Sequence, residues 1–291
     1  MATRRGHEVA RYVRHAESPA SPASPTGQVI TGTLENPPWP SIEAFAPDVV
    51  LHLAWISTPG EYLASPENER LLQQSRQFLA RCIDMGVPHV AAAGTCIEYA
   101  DSSAPLNEFH SALSATVPYS AAKAALCRWL ETHMTLASGC WTWFRIFYPY
   151  GPGEHPQRLP TLLTRRLTAG QPVSLRTPAS VKDYVFINDM AGAICLALEH
   201  KLAGPVNLGS GSGIRIRDIA MEIAHVLGAD PALVTEAEPP TQDPWPVQVA
   251  DVGRLGALGW TAATALTQGL RLLSDSLPPV RDVKHRAHHT A

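Results

Sequence analysis

Residues 48–55 read Asp-Val-Val-Leu-His-Leu-Ala-Trp, apolar at nearly every position. A strand with one wet face alternates apolar and polar side chains, so a run without alternation belongs to a strand covered on both faces of a parallel sheet. Parallel neighbours need crossover connections, and the chain supplies them. Helical periodicity covers residues 66–85, a small-residue strand over 88–94 ends on Thr95, and a helix follows over 120–136. Trp141-Thr142-Trp143-Phe144-Arg145-Ile146-Phe147 is the next strand, broken by Tyr150-Gly151-Pro152-Gly153. A helix over 159–167, a strand over 183–187, a helix over 190–198 capped by Asn188 or Asp189, the segment 205–211 and a helix over 216–227 complete the pattern. Strands alternating with helices predict an α/β fold with a Rossmann-like, doubly wound parallel sheet.

At 291 residues, 45% of them hydrophobic, the chain can bury a full core. It divides into a Rossmann-like body at 1–150, a mixed region with a substrate-binding lobe and sheet-completing elements at 151–280, and a disordered tail at 281–291. A net charge of −3 and no basic run argue against a nucleic-acid partner. With neither a secretory signal nor an apolar run long enough to span a bilayer, no membrane partner is expected and the compartment is the cytoplasm. Cys82, Cys96, Cys127, Cys140 and Cys195 are odd in number and form no C-x-x-C pair, which reads as reduced thiols. His52, His110 and His155 have no ligand spacing, and Lys284, His285, Arg286, His288 and His289 read as a frayed tail, so no metal is expected.

The chain opens on the end of a helix, with Gly6 as its C-cap and Arg4 and Arg5 in the last turn, followed by a short strand over 8–14. Residues 16–27 are a Ser/Pro/Ala-rich surface loop, and 28–34 a further strand.

Chemistry concentrates at Pro118-Tyr119-Ser120-Ala121-Ala122-Lys123. A spacing of four puts Tyr119 and Lys123 on one helical face, so the ammonium can act on the phenol. Bringing a tyrosine from pH 10 toward 7 needs roughly 4 kcal/mol of preference for phenolate. A fixed lysine together with a cationic cofactor ring could supply it, making a general acid/base for an alcohol or ketone. Tyr-x-x-x-Lys alone occurs on many helices. Here it follows a strand ending on the Thr95 hydroxyl, with Tyr99 four residues on.

The order of these pieces resembles the extended short-chain dehydrogenase/reductases, the NAD(P)-dependent nucleotide-sugar epimerases, dehydratases and reductases. The resemblance rests on Asp48–Ala54, Asn68, Thr95 with Tyr99, Tyr119 with Lys123, Arg145, Tyr150-Gly151-Pro152-Gly153, Lys182-Asp183-Tyr184 and Asn207-Leu208-Gly209-Ser210-Gly211. It implies that Tyr119 exchanges the proton and that Lys123 holds the nicotinamide ribose and depresses the Tyr119 pKa. Thr95 would hydrogen-bond the sugar oxygen, Asn68 would keep a water in the proton path, and Leu53, Ala54 and Trp55 would line the cofactor. Trp55 reads equally as a core residue. Tyr148 and Pro149 stand where the family has Asn-Val, beside the nicotinamide. Lys182 replaces the usual arginine on the nucleotide diphosphate, keeping the charge without the bidentate fork. Arg14 ends the strand where an acidic residue would select NAD. An arginine there can meet a 2′-phosphate, which favours NADP over NAD, or it is simply exposed. A homodimer through the helices at 66–85 and 120–136 is also implied.

Members of this family begin with a strand and a G-x-x-G-x-x-G turn that grips the cofactor pyrophosphate. Neither precedes Gly6 here, so a weakened cofactor grip is expected of a chain starting at Met1. Dehydratases place Asp-Glu after the catalytic threonine, whereas Cys96 and Ile97 stand there, and isoleucine cannot shuttle a proton. GDP-fucose synthase-like epimerase/reductases use a cysteine two positions after the hydroxyl rather than one, so Cys96 reads as structural. Reduction of a nucleotide-linked 4-keto-(6-deoxy)sugar remains, with a 4-epimerase as the alternative and a non-catalytic Rossmann-like relative as the second.

Overall fold

The computed structural model describes residues 1–15, 27–238 and 243–279. The low-complexity loop at 16–27, but for Gly27, and the tail with its basic cluster lie outside the described residues. A 3₁₀ turn, Ala2–Arg5, ends on Gly6 at φ 90°, as its C-cap reading requires. Among the described residues twelve strands follow: β1 (Ala10–Val13), β2 (Gln28–Thr31), β3 (Val49–His52), β4 (His89–Thr95), β5 (Cys140–Ile146), β6 (Tyr148–Tyr150), β7 (Val173–Leu175), β8 (Val181–Phe186), β9 (Gly204–Leu208), β10 (Gly213–Arg215), β11 (Val234–Glu236) and β12 (Val247–Gln248). The helices are α1 (Trp39–Phe45), α2 (Glu67–Asp84), α3 (Pro118–Leu136), α4 (Leu159–Thr168), α5 (Ile187–Glu199), α6 (Ile216–Leu227), α7 (Gly253–Gly256) and α8 (Leu266–Ser276).

The central sheet has the order β3-β4-β5-β9, with every pair parallel. Alternation along β4 explains its position. Val90 and Ala92 point into a core with Leu72, Leu79, Leu126 and Leu130 of α2 and α3, while Ala91 joins Met190, Ala193 and Ala197 of α5 on the other face. Every residue of β4 is buried. β4 is therefore the fully buried strand; β3 also packs on both faces, Val50 against the α2/α3 core and Leu51 against the α5 core, but less deeply than expected for 48–55. Among the described residues β3 pairs only with β4, and Val49 is 38% exposed because its outer edge meets no strand. β1 and β2 form a separate parallel pair, with Ala10, Tyr12 and Ile30 packed against the α2 side of the core.

A second correction concerns α5. It starts at Ile187 with Phe186 at the N-cap, so Asn188 and Asp189 lie in its first turn rather than capping it. Asp189 instead accepts the Thr264 backbone N–H at 2.8 Å, a partner far along the chain that no local pattern announces.

The C-terminal half builds its own core from Leu163, Leu167, Phe186, Ile219, Ile223 and Leu270 on α4, α6, α8 and β8. β8 is paired with β6 and β12 in parallel and with β10 antiparallel. Asp183 joins the halves of this region. Its buried carboxylate accepts the N–H groups of Ser210 (2.6 Å), Gly211 (3.0 Å) and Ala250 (3.1 Å) and the Ser210 hydroxyl (2.6 Å). Among the described residues no helix is long and apolar enough to cross a membrane.

Asp183→Ala strands three backbone donors at once. Of the three only the Ala250 contact is fully buried, so at about 1–3 kcal/mol for an unsatisfied buried group the variant should lose about 1–3 kcal/mol, read as a lowered urea midpoint; a midpoint within experimental error of wild type would refute this account of the joint.

Candidate functional site

β4 delivers Thr95 to the carboxyl end of the sheet, where open α/β sheets bind their ligands. The next three residues, Cys96–Glu98, make a 3₁₀ turn whose capping box is Thr95 and Glu98. Thr95 Oγ1 accepts the Ile97 N–H at 3.3 Å, while Glu98 Oε1 accepts the Thr95 N–H at 2.9 Å. α3 begins with Pro118 at its first position, and Tyr119 donates its backbone N–H to Leu63 O at 3.1 Å. One turn on, Lys123 points inward and is 2% exposed.

The structure brings Thr95, Tyr119 and Lys123 together. Burial pushes the Tyr119 phenol above its ordinary range, neighbouring Tyr62, Cys96 and Glu98 push the same way, and the adjacent Thr95 side chain is a smaller influence toward phenolate. The Tyr62 ring stands edge-on to the Tyr119 ring, centroids 4.8 Å apart. Lys123 Nζ lies 5.9 Å from the Tyr119 ring centroid. It donates to Ala93 O at 2.7 Å and sits 3.9 Å from the Trp55 ring centroid. Burial brings this amine down to about 7, partly opposed by Glu98. His52, buried at the end of β3, is lowered to about 3 by burial and by the Lys123 charge.

Asn68 and Trp55 are coupled to this group. The Trp55 indole donates to Asn68 Oδ1 at 2.9 Å, and Asn68 Nδ2 donates to Tyr62 O (2.7 Å) and Ser65 O (2.9 Å). Both amide hydrogens are thus used in tying the loop after β3 to the head of α2. Leu53, 55% exposed, and Ala54 leave an open apolar strand end beside this cluster. Arg14 follows β1 directly and is exposed.

Two further expected residues are engaged by partners from β12 and the segment before it. Tyr148 is half-buried against the cluster that also holds Tyr119, its hydroxyl donating to Gln248 Oε1, and Gln248 Nε2 donates to Cys96 O at 3.4 Å. Lys182 donates to Trp245 O and lies 5.7 Å from the Tyr148 ring centroid. Cys96 is buried in an apolar cluster with Ile97, Tyr99 and Leu106, and burial pushes its thiol up to about 12.

Sequence reasoning passed over three groups at the site. Glu98 was announced by the Thr-x-x-Glu capping signature. Tyr62 follows Pro59-Gly60 in a loop without periodicity, where no local signal marks it. Arg158, at the head of α4, reaches across to Ser57 O at 3.2 Å and lies 5.5 Å from the Tyr62 ring centroid, a contact between segments about a hundred residues apart.

Comparison with known proteins fits this geometry. Residues 1–209 match the NAD dependent epimerase/dehydratase family. GDP-L-fucose synthase 1 of Arabidopsis thaliana is 30% identical over 133 residues, 42% of this chain and 40% of that protein. GDP-L-fucose synthase of Escherichia coli strain K12 is 29% identical over 141 residues, covering 42% and 43%. The matches therefore span about two fifths of the length of these curated relatives. Among solved structures, UDP-glucose 4-epimerase of Thermus thermophilus in complex with NAD superposes with a TM-score of 0.76 at 26% identity, over 94% of this chain and 92% of that one. UDP-glucose 4-epimerase of Thermotoga maritima with UDP-glucose has a TM-score of 0.77 over 94% and 92%, and at 19% identity it speaks for the fold alone. With the family match extending from Met1 through the whole central sheet, this chain belongs to the NAD dependent epimerase/dehydratase family.

Proposed function

We propose that the chain reduces a nucleotide-linked 4-keto-(6-deoxy)sugar by hydride transfer from NADPH or NADH, with Tyr119 as general acid. The observation that carries this reading is the burial of Lys123 beside Tyr119 without a carboxylate in contact. Among the described residues its hydrogen-bond partner is a backbone carbonyl, and its amine is brought down to about 7. An ammonium held that way costs stability, which chemistry explains and packing does not.

In this reading Thr95 and Tyr119 hold the sugar oxygen between them, and Tyr119 passes it a proton. The phenol as it stands is raised by burial. Bound cofactor supplies the hydride and, when oxidised, the second positive charge that favours phenolate. The exposed strand end at Leu53 and Ala54 fits a planar ring, and the Trp55 indole forms a wall of that space. Lys123, now against the Trp55 face and the Ala93 carbonyl, would hold the nicotinamide ribose. Arg14 at the end of β1 favours a 2′-phosphate, although the Thermus relative was solved with NAD. Lys182 would meet the nucleotide diphosphate after releasing Trp245 O. Asn68 holds the loop that carries Trp55 and Tyr62 and would keep a water in the proton path on its remaining Oδ1 lone pair.

Dehydration is disfavoured because Cys96, pushed up to about 12, and Ile97 offer no acid and base. A 4-epimerase is the second reading, favoured by the likeness to the Thermus enzyme. Cofactor stoichiometry separates the two. A reductase consumes one reduced nicotinamide per sugar, whereas an epimerase interconverts sugars with no net consumption. The protein should be incubated with NADPH or NADH and a panel of dTDP-, GDP-, CDP- and UDP-linked 4-keto sugars. Absence of turnover with every sugar and both cofactors would refute the oxidoreductase reading.

Tyr119→Phe should lower kcat by about 10²–10⁴-fold while sugar-nucleotide affinity changes by less than about threefold. Retained turnover would remove Tyr119 from the proton path. Lys123→Met provides a stability test with a defined sign. A lysine whose folded pKa, about 7, lies below its unfolded value of 10.5 penalises the fold fully below pH 7, and the penalty fades as pH rises toward 10.5. The variant should therefore be more stable than wild type below pH 7, by on the order of 3 kcal/mol after the orphaned Ala93 carbonyl is allowed for, with the gap closing at high pH. Urea unfolding at both ends of that range checks it; a gap independent of pH would show that Lys123 is not strained.

A further inference from the structure

Glu98 is a buried charged group that the proposed reaction leaves without a part. It is 1% exposed and its partner Arg145 is 4% exposed. Oε1 accepts the Thr95 N–H at 2.9 Å and the Trp143 indole N–H at 3.0 Å, and Oε2 accepts Arg145 Nε at 3.0 Å. Every group in contact with it is a donor, so a protonated acid would find no acceptor and the carboxylate is the form this cage satisfies. Burial pushes the carboxyl up, and Arg145 is the largest influence holding it down.

A buried ion pair is weak ground for stability, because apolar side chains of the same volume often do as well or better. Its place in the fold is more telling. A Cβ at Gly94 would fall 2.6 Å from Glu98 Oε1 and onto the Trp143 indole, so the backbone leading into Thr95 is seated directly on this carboxylate. From the same turn its charge acts on α3, where it raises Lys123, Tyr119 and Cys127, and on neighbouring Cys96. Facing it from β5 is Arg145, which also donates to the Tyr99 hydroxyl and to Glu108 O, both at 3.1 Å. His52 at the end of β3 is the other titratable group that responds to Lys123.

We propose that Glu98 is the positioning residue of this site: it fixes the Thr95 backbone at the end of β4 and sets a permanent negative charge behind α3 that stabilises the Lys123 ammonium. Only its effect on turnover rests on the oxidoreductase reading. The charge effect can be read without catalysis.

The chain has four lysines, Lys123, Lys182, Lys201 and Lys284, so ¹³Cε-lysine NMR can follow Lys123 directly, with Lys123→Met for assignment. Glu98→Gln keeps an oxygen for the Thr95 N–H and loses the charge. It should move the Lys123 midpoint down by about one pH unit and carry the pH profile of kcat with it. Glu98→Asp keeps the charge and withdraws it from Thr95. Its Lys123 midpoint should stay within about 0.3 unit of wild type, while kcat falls about tenfold or more and KM changes less than about threefold. An unmoved midpoint in Glu98→Gln, or an unmoved kcat in Glu98→Asp of an active enzyme, overturns the proposal. In the wild-type protein the ¹³Cδ signal of Glu98 must read as ionised throughout the Lys123 titration; a protonated carboxyl there overturns it even if neither variant folds. A wild-type protein that turns over no nucleotide sugar, with the midpoint still moved by Glu98→Gln, would refute the oxidoreductase reading and support the charge role.

Discussion

A buried guanidinium near the carboxyl end of a central parallel strand must place five N–H donors where there is little water. Arg145 does this from β5, in register with Gly94 of β4 on one side and Asn207 of β9 on the other. The neighbours across this row make the arrangement possible. Gly94 leaves room above its backbone for the Trp143 indole and the Glu98 carboxylate, and Trp143, two residues before Arg145, donates from the same face of the strand. Asn207 accepts the Tyr99 hydroxyl at 2.7 Å, and its side chain donates to Leu106 O at 2.6 Å and to Asp251 O at 3.0 Å, while its backbone N–H donates to Glu108 Oε1 at 2.9 Å. One buried cation thus fixes the turn after β4, the loop before α3 and the segment after β12. These are the pieces that surround Thr95.

The same arrangement separates the charges at the site. Glu98 pairs with Arg145 at 3.0 Å within the turn after β4, and Lys123 has a carbonyl and an indole face for company. A lysine in contact with a carboxylate would be a spent ion pair. One raised by a carboxylate at a distance keeps its hydrogen-bonding capacity for a ligand, which is what separates a binding lysine from a structural one. Trp55 completes the enclosure by holding Lys123 with its face and Asn68 with its edge.

Much of the frame was legible because its signals are local. The Rossmann-like alternation, the two long helices α2 and α3, the Tyr119/Lys123 spacing and the Gly6 cap each depend on residues within a turn or two of one another. The overestimated burial of β3 has a different cause: an apolar run states what a strand could bury, but which edges are paired is decided by strands elsewhere in the chain. The short C-terminal strands escaped for a related reason, whereas α4, β8, α5, β9 and α6 were legible. β6, β7, β10, β11 and β12 are two or three residues long, too short to carry a period, and they are stabilised by contacts such as Asp183 to Ala250 and Gln248 to Cys96 that join distant parts of the chain.

Glu98 shows how one stretch can be read for the wrong question. Thr95-Cys96-Ile97-Glu98 was searched at its middle positions, where related enzymes keep an acid and a base, and those positions turn out to face an apolar cluster. The ends of the same four residues carry the interaction, since a Thr three positions before a Glu is how a short helix closes its first turn. On the surface such a box steadies a helix by about 1 kcal/mol. Here the turn is buried at the end of a catalytic-type strand, and closing it requires the carboxylate to be inside the protein. Arg145 and Trp143 follow from that requirement, because a buried carboxylate needs donors on both oxygens. The site's electrostatics thus begin as a helix-capping requirement, met where it also bears on Lys123.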